Sequence, residues 1–340
     1  MYAEITTYLF GCLKYLAKNF PEYSVEVVYL NKCVNVKLNE LKQYKFRDKN
    51  SFYSRKKLLN HLEANIPNIL LVSGRMDKDY LFVTKKIKTK CTTVSVQDTI
   101  YSNSIKHTIK KILSKFIYKK YFDKIWATGS LHSAFALSMG YGYNDIREGF
   151  YIADKQFFNE EIKLRFYGDD LNFLFIGRLV KEKNIESFAK TLDLINVERK
   201  SKHKLKIIGK GVLQEKIKKY KCVDILGFKN IDEIIQIAKT CHVFCLPSKF
   251  EPWGVVLHEM ALLGLPILVS ENCGSAFDLV QNNINGFKFK PNDYISIKNS
   301  IHKFLNLSNN QKIKFGNSSR AIALKLNHDY WCKNLISLLD

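Results

Sequence analysis

Residues Phe250–Glu259, FEPWGVVLHE, place two carboxylates, Glu251 and Glu259, eight positions apart in a 340-residue chain of formal net charge +22. The proline and glycine mark a turn running into a helix, with Pro252 suited to its first turn and Gly264 to its end. Glu251 then falls in the loop and Glu259 about two helical turns on, near one face. Carboxylates accept hydrogen bonds from hydroxyls, and the backbone N–H groups at a helix start, where Gly254 leaves room for a ligand, favour anions. A ligand carrying both sugar hydroxyls and phosphate fits that combination. A capping acid and a solvated helix acid account for the same spacing, so the pair is not decisive alone.

Three further segments carry compatible chemistry. In FIGRLVKEKN a strand ends at Gly177 and is followed by Arg178 and Lys183, a planar and a flexible cation that suit a diphosphate at the carboxyl edge of a sheet. In IIGKGVL the glycines Gly209 and Gly211 let backbone approach a ligand before a helix start. In ILGFK a strand runs into Gly227 and Phe228, which can offer backbone groups to a base edge. Each has a bland alternative: solvated surface cations in a chain with 54 Lys and Arg, or ordinary tight turns.

The elements that must position these residues are legible as alternation. Apolar runs at 172–176, 204–208, 223–226, 243–246, 266–269 and 286–289 are separated by stretches with helical spacing, the pattern of a parallel sheet with crossover helices. In the first half, 25–30, 68–73, 92–96 and 124–128 read as strands. Ile5, Leu9, Leu13 and Leu16 make a helical stripe from about residue 4, so the first strand of the first domain is expected to be absent, or the recorded start to lie downstream of the natural one. The reading is α/β with two doubly wound domains, 1–155 and 156–325, and a C-terminal helix in 326–340 that packs back towards the first.

In order and distance, GRLVKEKN, GKGVL, LGF, PSKFEPWGVVLHEMALLGLPILVS and GSAFDLVQNNINGF resemble the retaining glycosyltransferases of family 4. The match is strong over about 172–291 and loose elsewhere. The resemblance implies a GT-B fold, two facing Rossmann-like domains, with the acceptor on the first and a nucleotide-sugar donor on the second. It implies that Arg178 and Lys183 hold the donor diphosphate, that Glu259 binds the ribose hydroxyls and that Glu251 contacts the donor sugar. Gly209, Gly211, Gly227, Phe228, Trp253, Gly254 and Val255 complete the donor site. Transfer would retain configuration, need no metal and no cofactor, and move a sugar from a UDP- or GDP-linked donor to a glycan or lipid-linked acceptor, as in lipopolysaccharide, capsule or glycolipid synthesis.

The first half departs from that pattern. Where many relatives carry His-Asp, this chain has Gln97 and Asp98; glutamine is no base, so Asp98 is the candidate for polar contact or acid–base work, or else it caps the next segment. The glycine-rich loop that relatives use near the donor phosphate is missing. Two alternatives therefore stay open: a catalytically impaired nucleotide-sugar-binding subunit, and a GT-B-fold sugar-nucleotide epimerase.

Charge bears on partners. Residues 1–150 hold 25 Lys and Arg against 12 Asp and Glu, and the stretch 104–124 has seven lysines and one acid with apolar residues at helical spacing, Ile117 and Tyr121 included. A helix packed on the domain would leave Lys110, Lys111, Lys115, Lys119 and Lys120 to meet an anionic membrane surface. No recognised nucleic-acid module accompanies the charge, so nucleic acid is not an expected partner. The eight cysteines lack metal-ligand spacing and read as reduced thiols; His242 beside Cys241 and Cys245 reads as core rather than a metal site. With no apolar run of about 20 residues and no signal-like N-terminus, the expected place is the cytoplasm, peripheral at the inner membrane face.

Overall fold

The structure is a computed structural model and describes residues 1–33, 36–74, 77–99, 117–164, 166 and 169–339. The chain divides into two compact units, Met1–Ile152 with Leu326–Asp340, and Ala153–Lys325.

The first unit contains β1 (Tyr2–Ile5), α1 (Thr7–Asn19), β2 (Glu26–Lys32), β3 (Lys45–Asp48), α2 (Arg55–Ala64), β4 (Ile69–Val72), α3 (Lys78–Ile87), β5 (Thr92–Gln97), β6 (Lys124–Ala127), α4 (Ser130–Ser138) and β7 (Ile146–Arg147). All its strand pairs are parallel, in ladders β1-β2-β3 and β4-β5-β6-β7. Met1 joins the two ladders: its amino group donates to the Leu71 carbonyl at 2.6 Å, and Ser73 N–H donates to the Met1 carbonyl at 3.1 Å. β1 thus lies beside β4, and the order reverses there in the doubly wound manner.

The expected absence of a first strand is corrected by β1, which pairs Tyr2 with Tyr29 and Ile5 with Lys32. The periodicity misled because Ile5, fully buried at the end of the strand, falls in register with Leu9, Leu13 and Leu16 of α1. Thr6 separates the two elements: its backbone is extended and its side chain caps α1 by accepting from Leu9 N–H. The strand therefore enters the helix through one capping residue, with no glycine turn.

Residues 117–121 are helical. Of the two described residues of the expected stripe, Tyr121 packs partly buried on the core and Ile117 is 39% exposed, while Tyr118 and Phe122 enter the core. Lys119 and Lys120 are exposed, and Lys110, Lys111 and Lys115 lie outside the described residues. The last helix of the chain, given below with the second unit's elements, closes the first unit: Trp331 Nε1 donates to the Phe150 carbonyl at 2.9 Å and its ring meets Trp126 at 4.9 Å.

The second unit follows with α5 (Lys155–Phe158), β8 (Asn172–Ile176), α6 (Ile185–Arg199), β9 (Lys204–Ile208), α7 (Gln214–Ile217), β10 (Val223–Gly227), α8 (Ile231–Ala238), β11 (Val243–Leu246), α9 (Val255–Leu262), β12 (Ile267–Ser270), α10 (Ser275–Leu279), β13 (Gly286–Phe289), α11 (Tyr294–Leu305) and α12 (Asn309–Ala323); α13 (His328–Ile336) belongs to the first unit. Its sheet is all parallel in the order β10-β9-β8-β11-β12-β13. β11 and β12 are buried at every position, as strands covered by helices on both faces must be.

α9 ties this unit's ends together. Ala153 N–H donates to His258 Nδ1 at 3.2 Å, which leaves Nε2 as the protonated nitrogen facing the Ala323 carbonyl at 3.0 Å. Arg320 on α12 adds bonds to the carbonyls of Glu160 and Phe158 at 2.6 and 3.2 Å and to that of Leu262. The helix that carries Glu259 is therefore fixed at both of its flanks.

Candidate functional site

The strand order of the second unit reverses between β8 and β11. At such a reversal the two following loops diverge and leave a crevice outside the carboxyl ends of the strands, where open α/β sheets bind ligands. The loop after β8 carries Gly177, Arg178 and Lys183; the loop after β11 runs through Ser248 to Glu251. Lys249 N–H donates to the Glu182 carbonyl at 2.8 Å, so the two loops are pinned to each other.

Lys183 Nζ and Glu251 Oε2 form an ion pair across this crevice, their side chains 18% and 13% exposed. Ser248 Oγ donates to the same carboxylate oxygen at 3.3 Å. Behind Lys183, Asn184 adopts a left-handed conformation, φ 53°, and its buried amide donates to the Pro291 carbonyl at 2.7 Å; this turns the chain from the loop into α6. Arg178 is exposed and forms no ion pair with a described residue. Among the described residues the loop after β8 thus offers one shielded cation held by a carboxylate, and one exposed cation outside any ion pair.

The glycines divide by what they do. A Cβ at Gly209, φ +142°, would stand 2.0 Å from the Gly177 carbonyl oxygen, and one at Gly211 would stand 2.5 Å from that of Leu179. Leu179 N–H donates to the Lys210 carbonyl and Leu213 N–H to that of Leu179, at 2.9 and 3.0 Å. The first demand on both glycines is therefore the close approach of the loops after β8 and β9. The helix that follows them, α7, has only four residues, so its dipole at this edge is small. Gly227, φ +74°, accepts from Gly209 N–H at 2.8 Å, and Phe228 beyond it is 76% exposed.

The opening turn differs from its expected form. α9 begins at Val255, three residues after Pro252, with Gly254 as its N-cap at φ +85°. Glu251 is drawn out of the helix by a bridge to Cys273: its N–H donates to the Asn272 carbonyl and its carbonyl accepts from Gly274 N–H, at 3.1 and 2.9 Å. The Glu251 side chain crosses the turn within 3.0 Å of where a Cβ on Gly254 would lie. Trp253 is buried, and its carbonyl accepts from Ser275 N–H at 3.1 Å.

Glu259, on the second turn of α9, is half-buried. Burial, with the charge of Asp154 as a second cause, pushes its carboxyl up to about 8, so at neutral pH it is largely protonated. Asp154, the N-cap of α5, was not singled out from sequence; the only sequence signal was a lone Asp before a short apolar segment.

The remaining candidates, Gln97 and Asp98, belong to the first unit. Gln97 ends β5, is 2% exposed, and neither amide atom has a hydrogen-bond partner among the described residues. Asp98 is exposed and accepts from the Tyr151 hydroxyl at 3.4 Å; burial, then the neighbouring Tyr8 and Asp98, raises that hydroxyl's pKa, so it is a donor at any ordinary pH. The thiols of Cys241 and Cys245 donate to the carbonyls of Ile237 and Leu174, and His242 Nδ1 accepts from Asn172 N–H at 2.9 Å. Among the described residues no three His, Cys, Asp or Glu cluster as metal ligands, and no helix is long and apolar enough to cross a membrane.

Comparison with known proteins gives this geometry a context. Residues 156–321 match the family model described as glycosyl transferases group 1. Over 178 residues the chain is 27% identical to an uncharacterized glycosyltransferase of Methanocaldococcus jannaschii, covering 50% of this chain and 45% of that protein. Over 232 residues it is 25% identical to a capsular polysaccharide biosynthesis glycosyltransferase of Staphylococcus aureus, covering 66% and 56%. The chain thus spans about half the length of these relatives. The solved apo structure of a lipopolysaccharide outer core galactosyltransferase superposes with a TM-score of 0.72 at 18% identity, covering 99% of both chains. The fold, parallel sheets in two α/β units, is GT-B.

Proposed function

From the match of residues 156–321 to the model of glycosyl transferases group 1, we propose that the protein transfers a sugar from a nucleoside diphosphate donor to a hydroxyl of a glycan or lipid-linked acceptor, with retention and without a metal. The observation that carries this reading is the Lys183–Glu251 pair at the reversal of the second sheet, beside the Gly254-capped start of α9. Cleaving a sugar–phosphate bond builds negative charge on the leaving diphosphate and positive character on the sugar carbon. Fixed cations and a helix start aimed at the diphosphate stabilise that transition state.

The ion pair gives the exchange a concrete form. An arriving diphosphate takes over the Lys183 ammonium, joined by exposed Arg178, and Glu251 turns its freed carboxylate to the hydroxyls of the donor sugar. The N–H groups of α9 face the phosphates, and Glu259 reads the ribose. Attack by the acceptor on the face the phosphate leaves preserves configuration, the departing phosphate oxygen taking the acceptor proton. In the first unit Asp98, fixed by the Tyr151 hydroxyl, is the candidate polar contact.

A capsule- or lipopolysaccharide-type acceptor accords with the named roles of the relatives above, and exposed Lys119 and Lys120 accord with an anionic membrane surface. The test is a thermal-shift panel of nucleotide sugars followed by NMR assignment of the product anomer from the stabilising donor. A stabilising donor and a product of the same anomeric configuration are expected. An inverted product, or turnover abolished by chelator, overturns retention or metal independence respectively.

A further inference from the structure

The first unit has a cleft that the donor chemistry does not use. It lies at the carboxyl end of β3, where the chain turns into α2, and encloses about 180 Å³ lined by Lys49, Asn50, Tyr53, Ser54, Arg55 and Asp79 over a floor of Phe52 and Leu58. That space, open on one side to solvent, is on the scale of one hexose ring.

The lining has the chemistry of a sugar subsite. Tyr53 is 86% exposed and holds a left-handed backbone, φ 55°, a conformation that disfavours any side chain with a Cβ. The Tyr53 N–H donates to the Asn50 carbonyl at 3.2 Å, which closes the turn and presents the ring at the rim of the cleft. Lys57 Nζ lies 5.1 Å from the ring centroid. Asp79 offers a carboxylate, Asn50 an amide, and Arg55 a guanidinium stacked 4.5 Å from the Phe82 ring. Lys49 is held by Asp77 and Asp79 at 2.6 and 2.9 Å, so the cleft is not a bare cation pocket. A pyranose would lay its C–H face on the tyrosine ring and divide its hydroxyls between an acceptor carboxylate and donor amide and guanidinium groups.

We propose that this cleft binds one sugar ring, stacked on Tyr53 and hydrogen-bonded by Asn50, Arg55 and Asp79. The inference deepens the acceptor half of the proposed transfer and rests on that reading only for the sugar's role as part of the acceptor. The binding itself stands apart from the donor site.

Saturation-transfer NMR of the full chain with methyl α- and β-glucosides, galactosides and N-acetylglucosaminides tests it. The wild type and Tyr53→Phe are expected to bind at least one glycoside. Tyr53→Gly, which removes the ring and relieves the positive φ, and Asn50→Ala are expected to bind about five- to tenfold more weakly. No wild-type signal, equal affinity in Tyr53→Gly, or displacement of the glycoside by inorganic phosphate would overturn the proposal. The melting shift with nucleoside diphosphates, read on the same samples, separates the two readings. A nucleotide shift without Tyr53-dependent glycoside binding overturns the sugar cleft alone, and the reverse result overturns the donor function alone.

Discussion

Each unit holds a lysine in a carboxylate clasp at the carboxyl edge of its sheet, and the two clasps differ in one acid. Among the described residues Lys183 pairs with Glu251 alone. Lys49 faces both Asp77 and Asp79, and Asp77 is also spent as the N-cap of α3, accepting from the N–H groups of Asp79 and Tyr80 at 2.9 Å. Burial works against the charge of Lys49, yet the two aspartates outweigh it and raise its pKa above the ordinary lysine value. A one-acid clasp can hand its lysine to a diphosphate; a two-acid clasp anchored in a helix cap holds the β3 corner in place. Similar pairs thus read as a working part in one unit and a structural tie in the other.

The sharpest break of that comparison is the loss of the working lysine. Lys183→Ala is expected to lower kcat by about 10²–10³-fold, the scale of removing one preorganised charge-stabilising group, measured with the donor that the thermal-shift panel identifies. Glu251→Gln keeps the shape of the turn but not its charge. It should lower kcat more than it weakens nucleotide binding, since a freed Lys183 still meets the diphosphate. Equal losses in both parameters would make Glu251 a structural partner like Asp77.

The next effect is on stability and belongs to the second unit. Gly209→Ala meets the Gly177 carbonyl at 2.0 Å in a left-handed backbone, and neither atom is the end of a flexible side chain. A loss of about 3 kcal/mol or more follows, read as a melting-temperature drop of roughly 6–12 °C. If Gly209→Ala melts like the wild type and loses only nucleotide binding, the glycine serves the ligand and not the loop contact.

The two clasps were not equally legible in the sequence. The strands of the second unit fall where the apolar runs put them, four of them to the residue, because buried parallel strands are continuous hydrophobic segments with few competing patterns. The residues of its clasp, Lys183 and Glu251, were both singled out, but their pairing was not, since 68 positions separate them and only the reversal of strand order brings them together. In the first unit β1 hid inside the stripe of α1. β3 hid as KFRD, a strand half-buried at one position and exposed at three. With β3 unrecognised, nothing marked KNSFYSRKK as the corner of a cleft, although an aromatic within a basic run was visible there. Glu259 was chosen as a ribose ligand, but its raised pKa depends on burial and on Asp154, which no spacing reveals.

That raised pKa separates Glu259 from the acids of both clasps. A carboxyl whose folded pKa is about 8, against an ordinary value of 4.5, contributes stability that is fully present below about 4.5 and lost as pH rises through about 8. Ribose hydroxyls donate to the ionised form, so nucleotide binding should release a proton. Affinity is then expected to rise with pH, by up to about tenfold per unit, and to level off above about 8. Isothermal titration in buffers of different ionisation enthalpy measures the proton directly. Glu259→Gln should flatten the profile; a flat wild-type profile would remove Glu259 from the donor site.

The smallest expected effect tests the structural clasp. Asp77→Asn keeps a good helix cap while removing the charge, so it isolates the ion pair to Lys49. Burial opposes the charge of Asp77, but the hydrogen bond from Lys49 leads the effects that hold its pKa below the ordinary carboxylate value. The pair's stability is therefore present above about pH 4 and lost as pH falls through the folded value. On the basic side, the raised pKa of Lys49 keeps its share until pH passes the folded lysine value. With both side chains 16% exposed, the change should cost about 1 kcal/mol, roughly 2–4 °C in melting temperature at neutral pH, and nothing once the pH is below the folded value of the Asp77 carboxyl, where both variants carry a neutral group. Turnover at saturating donor should stay at the wild-type rate. A fall in kcat as large as that of Glu251→Gln would mean that the extra acid does not separate a tie from a working part.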